Sequence, residues 1–329
     1  MKKSAILITG ANGEMGRGLI KSLANTNLDI ITIDLHPIID ADLSIEIHEE
    51  NIGSILDSKL LETLNEKYEF SIIYHLAAIL STHAENNLKL AHSVNVDGTI
   101  NLLEIAKNQG EKQKTKIKFF FPSSIAVYGF NNLDEKKQAG LINENSYLKP
   151  RTIYGCSKLY CENIGNYYEK KYQNIDFRSI RFPGIISSQT IPTGGTSDYI
   201  PEMIHFAARG EKYQCFARKD AKLPFITMVD AIQSIHDLLL ADKKKLKQNI
   251  YNIRSFAPTA EEFKNKILKE FINAEITFEI NEKRQKMIDS WPSDTNDNAA
   301  KLDWRWKAKH NLDLALHDYL IPEIKKLYS

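Results

Sequence analysis

Cysteine is scarce in this chain of 329 residues, which contains only Cys156, Cys161 and Cys215. Three thiols at irregular spacing are too few for a disulfide framework, and they do not match the ligand spacing of a zinc site. We therefore expect reduced thiols, a cytoplasmic location and no bound metal.

Long apolar runs and an excess of one charge are also lacking. No run approaches the roughly 18 apolar residues of a membrane span. The apolar stretch in MKKSAILITG ends after about five residues at a glycine-rich turn, which indicates a strand rather than a signal peptide. Lysine plus arginine total 43 against 42 for aspartate plus glutamate, a net charge of +1. This balance gives no electrostatic reason to expect a nucleic acid or a membrane as partner.

The chain does have 43% hydrophobic residues, enough for a sizeable core. In its first half, apolar runs alternate with amphipathic stretches. Because runs such as AILIT and SIIYHLAA are apolar almost throughout, they predict strands covered on both faces, and the alternation predicts a doubly wound, parallel α/β fold. Strands are predicted at Ala5–Thr9, Ile30–Asp34, Phe70–Leu76, Lys118–Ser123 and Ser179–Phe182, and helices near Gly16–Ala24, Lys59–Asn65, Ala91–Asn108 and Tyr154–Tyr172.

The composition changes after about residue 185, where SSQTIPTGGTSDYIPEM is rich in glycine, proline and small polar residues. We predict a Rossmann-type domain over residues 1–184, with segments near 225–253 returning to it, and a smaller substrate lobe mainly over residues 185–329. A terminal helix is predicted near Leu312–Leu327. The stretches 48–52 and 131–140, rich in lysine, asparagine or charge, are predicted to be surface loops.

The stretch ITGANGEMG places three glycines between the first predicted strand and the first predicted helix. This arrangement allows a tight turn, lets a pyrophosphate approach the backbone and points a helix N-terminus at it. Three glycines alone also suit an ordinary turn, but their position between strand and helix favours a dinucleotide site. Cofactor contacts are predicted from Gly10, Asn12, Gly13, Glu14, Met15 and Gly16.

Asp34 ends the second predicted strand, about twenty residues beyond the last glycine, where a carboxylate can accept both hydroxyls of an adenosine ribose. It would repel a 2′-phosphate and no arginine lies beside it, so NAD is expected rather than NADP. The alternative is an aspartate that forms a turn. Leu56 and Asp57 are predicted near the adenine, although Asp57 is equally suited to cap a helix.

Three side chains suit the removal of a proton from an alcohol. The run FFFPSSIAVYG contains Ser124 at a strand end, and Tyr154 and Lys158 follow one helical turn apart. A tyrosine with the ordinary pKa of about 10 is a poor base at neutral pH. A nearby ammonium group and the positive nicotinamide ring would favour the phenolate. Taken singly, the pair also suits a packing contact and the serine a turn.

Five motifs resemble those of the extended short-chain dehydrogenases/reductases: GANGEMG, LAA at Leu76–Ala78, NVDGT at Asn95–Thr99, SSIAVYG and YGCSK. The resemblance covers essentially the whole chain. It implies that Ser124, Tyr154 and Lys158 are catalytic and that Lys158 also contacts the nicotinamide ribose. Further cofactor contacts are expected from Leu76, Ala77, Ala78, Asn95 and Ile185.

Segments of the second half are similar to the NAD-dependent L-threonine 3-dehydrogenases of the short-chain type, notably RFPGIISS, PTGGTSDYIPEM and SWPSDTNDNAAKLDWRWKAKHNL. The similarity implies oxidation of L-threonine to 2-amino-3-oxobutanoate, with Tyr154 as the base. Substrate contacts are expected from Ser81, Ser124, Tyr154, Gly184 and Thr196. Thr196 also suits a helix cap, and Trp291 suits either a pocket wall or the core. His75 and His83 are interpreted as structural.

Two other functions are compatible with the same scaffold. A nucleotide-sugar epimerase or reductase would be expected to carry basic and aromatic residues where this chain has the small-residue loop PTGGTSDY. An NAD-binding redox sensor would typically lack the tyrosine–lysine pair. The family also implies a homodimer formed through the helices near Ala91–Asn108 and Tyr154–Tyr172.

Overall fold

The computed structural model describes residues 3–24, 26–192 and 195–328. Strands and helices alternate through its first half, as the sequence predicts. The strands are β1 (Lys3–Thr9), β2 (Asp29–Asp34), β3 (Glu49–Ile52), β4 (Tyr68–His75), β5 (Ile117–Ser124), β6 (Leu141–Ile142), β7 (Ile175–Phe182), β8 (Gly184–Ile186), β9 (Tyr213–Cys215), β10 (Phe225–Thr227), β11 (Ile250–Asn252), β12 (Ile276–Phe278) and β13 (Asp294–Thr295).

The α-helices are separated by these strands and by short turns. They are α1 (Glu14–Leu23), α2 (Ala41–Ile45), α3 (Ser58–Lys67), α4 (Ser81–Asn86), α5 (Leu88–His92), α6 (Gly98–Gln113), α7 (Leu133–Ala139), α8 (Ile153–Tyr172), α9 (Tyr199–Arg209), α10 (Met228–Leu240), α11 (Ala260–Glu270), α12 (Glu282–Ser290), α13 (Asn298–Trp304), α14 (Leu312–Leu314) and α15 (Ile321–Tyr328). Among the residues that the structure describes, two π-helical segments occur, at Ser93–Asp97 between α5 and α6 and at Ala315–Leu320 between α14 and α15.

Seven strands form one sheet in the order β11-β7-β5-β4-β1-β2-β3, which confirms the predicted doubly wound α/β fold. The pairs β1–β2, β1–β4, β2–β3 and β4–β5 are parallel. Because β1 lies between β2 and β4, the strand order reverses at β1, and ligands of open α/β sheets bind at the carboxyl ends of strands at such a point. The order therefore places the glycine-rich turn after β1 where a ligand is expected.

Burial on both faces of the sheet explains why its central strands read as continuous apolar runs. Ile6 and Ile8 of β1 are 1% and 0% exposed on one face, and a buried apolar cluster covers the other face. One buried cluster includes Leu7, Ile73, Phe119, Leu102 and Phe177, which come from strands and from α6. Each of these side chains is 0% exposed. Burial on this scale removes apolar area from water and stabilises the sheet and helices together.

Two segments predicted as surface loops have regular structure, so those predictions were wrong. Residues 49–52 form β3, an edge strand in which half-buried and exposed positions alternate and which therefore lacks an apolar run. Within residues 131–140, α7 begins after Asn132, whose side chain accepts a hydrogen bond from the N–H of Glu135 at 2.9 Å. The predicted helices near Ala91–Asn108 and Leu312–Leu327 are each interrupted by a π-helical segment.

The chain divides into two compact units, each built from separate stretches of sequence. The first unit comprises the described parts of Met1–Ser123, Thr152–Arg181 and Ile232–Ile250, and it contains most of the seven-stranded sheet. The second comprises Ser124–Arg151, Phe182–Ala231 and the described part of Tyr251–Ser329, with the two-stranded pairs β8–β10, β9–β12 and β6–β13. Within the described residues, no helix combines the length and apolar character needed to cross a membrane. The predicted division near residue 184 stays a prediction.

Candidate active site

Two glycines of the glycine-rich stretch in the first unit leave no room for a Cβ atom. Gly10 has a φ of +68°, and a Cβ there would lie 2.6 Å from the backbone nitrogen of Ala77. A Cβ on Gly16 would lie 2.5 Å from the carbonyl oxygen of Gly10 and would also collide with that of Ala11. Only glycine avoids both the left-handed strain and the overlap. The turn thus presents bare backbone directly before α1.

The N-terminus of α1 has no side-chain cap. Gly13 is the N-cap residue and supplies no side-chain hydrogen bond, so the partial positive charge at the end of the helix is not covered by a capping group of its own. Glu14 and Met15 begin the helix. A bare turn followed by an uncapped helix N-terminus fits the pyrophosphate of a dinucleotide.

Asp34 lies at the end of β2, next to this turn. Its Oδ2 accepts a hydrogen bond from the N–H of Asn12 at 2.9 Å, and its Oδ1 accepts one from the N–H of His36 at 3.1 Å. A carboxylate has about four acceptor positions, so two backbone bonds leave capacity for ribose hydroxyls. The Asn12 amide donates to the carbonyl oxygen of Pro37 at 3.1 Å, which fixes the turn beside Asp34.

Asp57 caps a helix, which is one of the two roles that the sequence suggests for it. Its side chain accepts a hydrogen bond from the N–H of Leu60 at 3.1 Å, at the start of α3. Leu56 is 36% exposed, which leaves its side chain accessible to a ligand. The adenine contacts of Leu56 and Asp57 stay predictions.

The segment after β4 is tied to the π-helical segment by Asn95. The side-chain oxygen of Asn95 accepts from the N–H of Ile79 at 2.7 Å, and its amide donates to the Ile79 carbonyl at 2.9 Å. The N–H of Leu76 donates to the carbonyl oxygen of Thr9 at 3.0 Å, and the N–H of Ala77 donates to the hydroxyl oxygen of Thr9 at 3.3 Å. Residues 76–79, which include Ala78, are therefore held at the carboxyl end of β1. π-Helical segments of this kind occur frequently at functional sites.

His75 has the structural surroundings that the sequence interpretation gave it. Its Nδ1 lies 3.0 Å from the hydroxyl oxygen of Thr9 and its Nε2 lies 2.8 Å from that of Thr99. Burial, together with the charge of Lys158, lowers the pKa of His75 to about 3. The ring is therefore neutral at physiological pH. His83, by contrast, is exposed on α4.

Tyr154 and Lys158 lie one turn apart near the start of α8, whose N-cap Thr152 accepts a hydrogen bond from the N–H of Gly155 at 3.0 Å. The Lys158 Nζ lies 5.5 Å from the centre of the Tyr154 ring. Tyr154 is half-buried, whereas Lys158 is 4% exposed. The lysine is therefore not a snorkelled surface residue, because its amine does not reach bulk water.

The Lys158 amine contacts a backbone carbonyl group and an aromatic ring. Nζ donates a hydrogen bond of 2.6 Å to the carbonyl oxygen of Pro122 and lies 4.5 Å from the centre of the Phe121 ring. Burial lowers the pKa of Lys158 to about 8, although Cys161 and Glu162 act in the opposite direction. The ammonium form predominates at neutral pH, where a buried cation stabilises a nearby phenolate.

Ser124, Gly184, Ile185 and Thr196 lie in the second unit. Ser124 ends β5, and its Oγ accepts a hydrogen bond from the N–H of Ala126 at 3.1 Å. Gly184 begins β8, where a Cβ would lie 2.6 Å from Cδ1 of Phe225, and Ile185 follows it half-buried. Thr196 is buried and does not cap α9, whose N-cap is Asp198.

Two further residues complete the predicted set. Ser81 is half-buried and begins α4, in the first unit. Trp291, in the second unit, is 6% exposed, which agrees with its core interpretation. The substrate contact of Ser81 stays a prediction.

Sequence reasoning missed a buried polar network beside Lys158. Ser123 donates from Oγ to Oε1 of Glu162 at 2.5 Å, and Arg181 binds both oxygens of the same carboxylate. The signal available in the sequence was the spacing of Lys158 and Glu162, four positions apart on one helix face. Nothing local indicated that Arg181, on β7, would meet them.

Comparison with known proteins identifies relatives over nearly the whole chain. A profile of the NAD dependent epimerase/dehydratase family matches residues 6–253. The mitochondrial L-threonine 3-dehydrogenase of Bos taurus is 31% identical over 331 residues, which cover 97% of this chain and 80% of the bovine protein. A monomeric L-threonine 3-dehydrogenase from a metagenome has a TM-score of 0.87 and 33% identity, covering 98% of this chain and 100% of its own. The L-threonine dehydrogenase of Clostridium difficile has a TM-score of 0.87 and 30% identity, with 100% and 99% coverage.

Proposed function

We propose that this chain, which belongs to the NAD dependent epimerase/dehydratase family, oxidises the 3-hydroxyl group of L-threonine. The products are 2-amino-3-oxobutanoate, NADH and a proton. The observation that carries the proposal is the buried ammonium group of Lys158 beside the ring of Tyr154 on α8. Relatives that bear the name L-threonine 3-dehydrogenase, at 31% and 33% identity, support this substrate.

NAD supplies the hydride acceptor when it is bound. The residues proposed to hold it are those of the glycine turn and its surroundings, namely Gly10, Asn12, Gly13, Glu14, Met15, Gly16, Asp34, Leu56, Asp57, Leu76, Ala77, Ala78, Asn95, Tyr154, Lys158 and Ile185. The bare backbone of the turn and the uncapped α1 suit its pyrophosphate. The carboxylate of Asp34 suits a ribose with free hydroxyls and disfavours a 2′-phosphate.

Tyr154 acts as the base in this proposal. As phenolate it takes the proton of the substrate's hydroxyl group, and the positive charge of Lys158 stabilises the phenolate beforehand. Ser124 is assigned to hydrogen-bond the same hydroxyl group. The other groups of the substrate are its amino, carboxylate and methyl groups. Contacts with them are assigned to Ser81, Gly184 and Thr196.

The proposal includes the oligomeric state of the protein and its location in the cell. A homodimer through α6 and α8 is supported by Tyr160 and Tyr167 on α8, which are 47% and 52% exposed. Light scattering after gel filtration tests it, and a single mass near 37.6 kDa would contradict it. A cytoplasmic location is supported by three cysteines that all carry free thiols.

The substrate is tested by following NADH formation with NAD and a panel of hydroxy amino acids. We expect L-threonine to be oxidised faster than L-serine and L-allo-threonine. UDP-galactose, assayed for conversion to UDP-glucose, tests the epimerase alternative. Turnover of the nucleotide sugar without oxidation of L-threonine would contradict the proposal, and binding of NAD with neither activity would favour the sensor alternative.

A further inference from the structure

Glu162 and Arg181 form a buried ion pair, and neither residue has a role in the reaction proposed above. Glu162 lies one turn after Lys158 on α8, and Arg181 lies on β7. Arg181 donates from Nε to Oε1 and from Nη2 to Oε2, each at 2.7 Å. The two side chains are 3% and 1% exposed. Because the desolvation of two charges offsets much of their attraction, stability alone is a weak reason for such a pair.

The same carboxylate also holds the carboxyl end of β5. Ser123 donates to Oε1 of Glu162 at 2.5 Å, and the carbonyl of the preceding Pro122 accepts from Nζ of Lys158 at 2.6 Å. Two consecutive residues of β5 are thus bonded to two side chains one turn apart on α8. Removing either bond frees the strand end to move relative to the amine of Lys158.

Glu162 also acts on the charge of Lys158. The groups that act on this lysine are Cys161 and Glu162 from α8, with His75 facing it from β4 and the Tyr154 ring one turn away. His75 is neutral because its pKa lies at about 3, and burial raises the pKa of Cys161 to about 11. Glu162 supplies the carboxylate among these groups, and it opposes the effect of burial on the pKa of Lys158.

We propose that Glu162, held in place by Arg181, is a positioning residue that fixes the ammonium group of Lys158 beside Tyr154 and keeps it charged. Glu162 touches neither substrate nor cofactor in this role and acts through Lys158. The inference rests on the proposed function, because Lys158 matters to the reaction through the phenolate of Tyr154. It assigns the buried pair to the chemistry rather than to the stability of the fold.

A titration of Lys158 itself tests the inference without any assay of activity. The side-chain carbon signals of 13C-labelled lysine are followed against pH, and the Lys158 signal is identified by its loss in Lys158→Met. In Glu162→Gln we expect the midpoint of Lys158 to fall by about 0.5 pH unit or more. An unchanged midpoint overturns the inference, whatever the activity of the variant.

The matched control is a second buried pair on the same strand. Arg178 binds Asp176 with 2.6 Å between Nη2 and Oδ2, and the two side chains are 2% and 7% exposed. Asp176→Asn breaks an equally buried Arg–carboxylate pair, so a general loss of stability affects it as well. We expect the Lys158 midpoint to be unchanged in this variant. A shift as large as that in Glu162→Gln overturns the inference.

Kinetics with L-threonine separate positioning from binding. In Glu162→Gln we expect kcat to fall roughly tenfold or more, because the ammonium group of Lys158 is displaced from Tyr154 and is charged in a smaller fraction of molecules, with the KM for L-threonine nearly unchanged. The alkaline limb of kcat/KM should move to lower pH, as the Lys158 midpoint does. If the wild-type protein does not oxidise L-threonine at all, the proposed function fails, while the titration still judges the role of Glu162.

A second variant tests the inference even if Glu162→Gln fails to fold. Glu162→Met/Arg181→Met removes both charges and leaves side chains of similar length, an exchange that buried ion pairs often tolerate. It should fold and show a lowered Lys158 midpoint, with a smaller shift than in Glu162→Gln because the positive charge of Arg181 is removed as well. A folded double variant with the wild-type midpoint and kcat overturns the inference.

Discussion

Lys158 on α8 donates a hydrogen bond from Nζ to the carbonyl oxygen of Pro122 on β5, at 2.6 Å. This bond links the helix of Tyr154 to a strand end of the sheet, and it holds a cation in surroundings that otherwise disfavour one. Lys158 is only 4% exposed, so bulk water does not screen its charge. No lysine at the surface can therefore supply the same charge beside Tyr154.

Replacing this amine removes the charge that the base needs. Lys158→Met should lower kcat for L-threonine by about a hundredfold or more, because the phenolate of Tyr154 loses its stabilising cation. Steady-state measurement of NADH formation gives the value. Lys170→Met, at an exposed position on the same helix, is the control and should retain wild-type kcat. Equal rates in the two variants would contradict the role of Lys158.

Crowding at Gly16 predicts a loss of cofactor affinity. A Cβ there meets the carbonyl oxygens of Gly10 and Ala11, so Gly16→Ala must displace the turn. We expect the Kd for NAD, measured by calorimetry, to rise roughly tenfold or more, which corresponds to about 1.4 kcal/mol. In Gly18→Ala the nearest atom is Cγ1 of the Ile232 side chain at 3.2 Å, which can shift. That control should bind NAD almost normally.

The carboxylate of Asp34 predicts the choice between the two dinucleotides. Asp34→Asn keeps the size of the side chain and removes the charge that would repel a 2′-phosphate. The ratio of the NADP Kd to the NAD Kd should fall by about tenfold or more. Asp42→Asn, an exposed position on α2, should leave the ratio unchanged. A preserved preference for NAD in Asp34→Asn would show that discrimination lies elsewhere.

Burial of His75 predicts a dependence of stability on acid. Its pKa falls from 6.5 to about 3 on folding, so below pH 6.5 the unfolded chain binds a proton that the folded protein does not. This contribution to the free energy of unfolding is fully present above pH 6.5 and is lost as the pH falls toward 3.

His75→Gln keeps a donor and an acceptor for the two threonine hydroxyls and removes the titration. Urea unfolding at pH 7.5 and pH 5 should show a smaller loss of stability in the variant than in the wild-type protein. His83→Gln, at an exposed position, should behave like the wild type. If His75→Gln and His83→Gln lose the same free energy of unfolding between pH 7.5 and pH 5, His75 is not the source of that loss.

The parts of the fold that the sequence predicted are those with a local signal. Continuous apolar runs marked β1, β4 and β5, because a strand covered on both faces needs apolar residues at every position. The glycine turn and Asp34 were recognisable because backbone crowding and a strand-end carboxylate leave fixed spacings. β3 was missed because an edge strand needs few apolar residues.

Other features depend on contacts between distant residues. The charged stretch around α7 looked like a loop, yet Lys136 is buried and donates to the carbonyl oxygen of Ile288, 152 positions away, at 2.8 Å. Burial lowers the pKa of this lysine to about 8. The bond between Glu162 and Arg181 likewise forms only when β7 reaches the sheet. No periodicity within a short window contains such information.

The most direct test of the account is Tyr154→Phe, which removes one oxygen atom from the proposed base. NAD binding by calorimetry and NADH formation from L-threonine are measured on the same preparation of this variant. We predict a Kd for NAD close to that of the wild type and a kcat lower by about a thousandfold. A variant that binds NAD and still oxidises L-threonine at the wild-type rate would contradict the central claim.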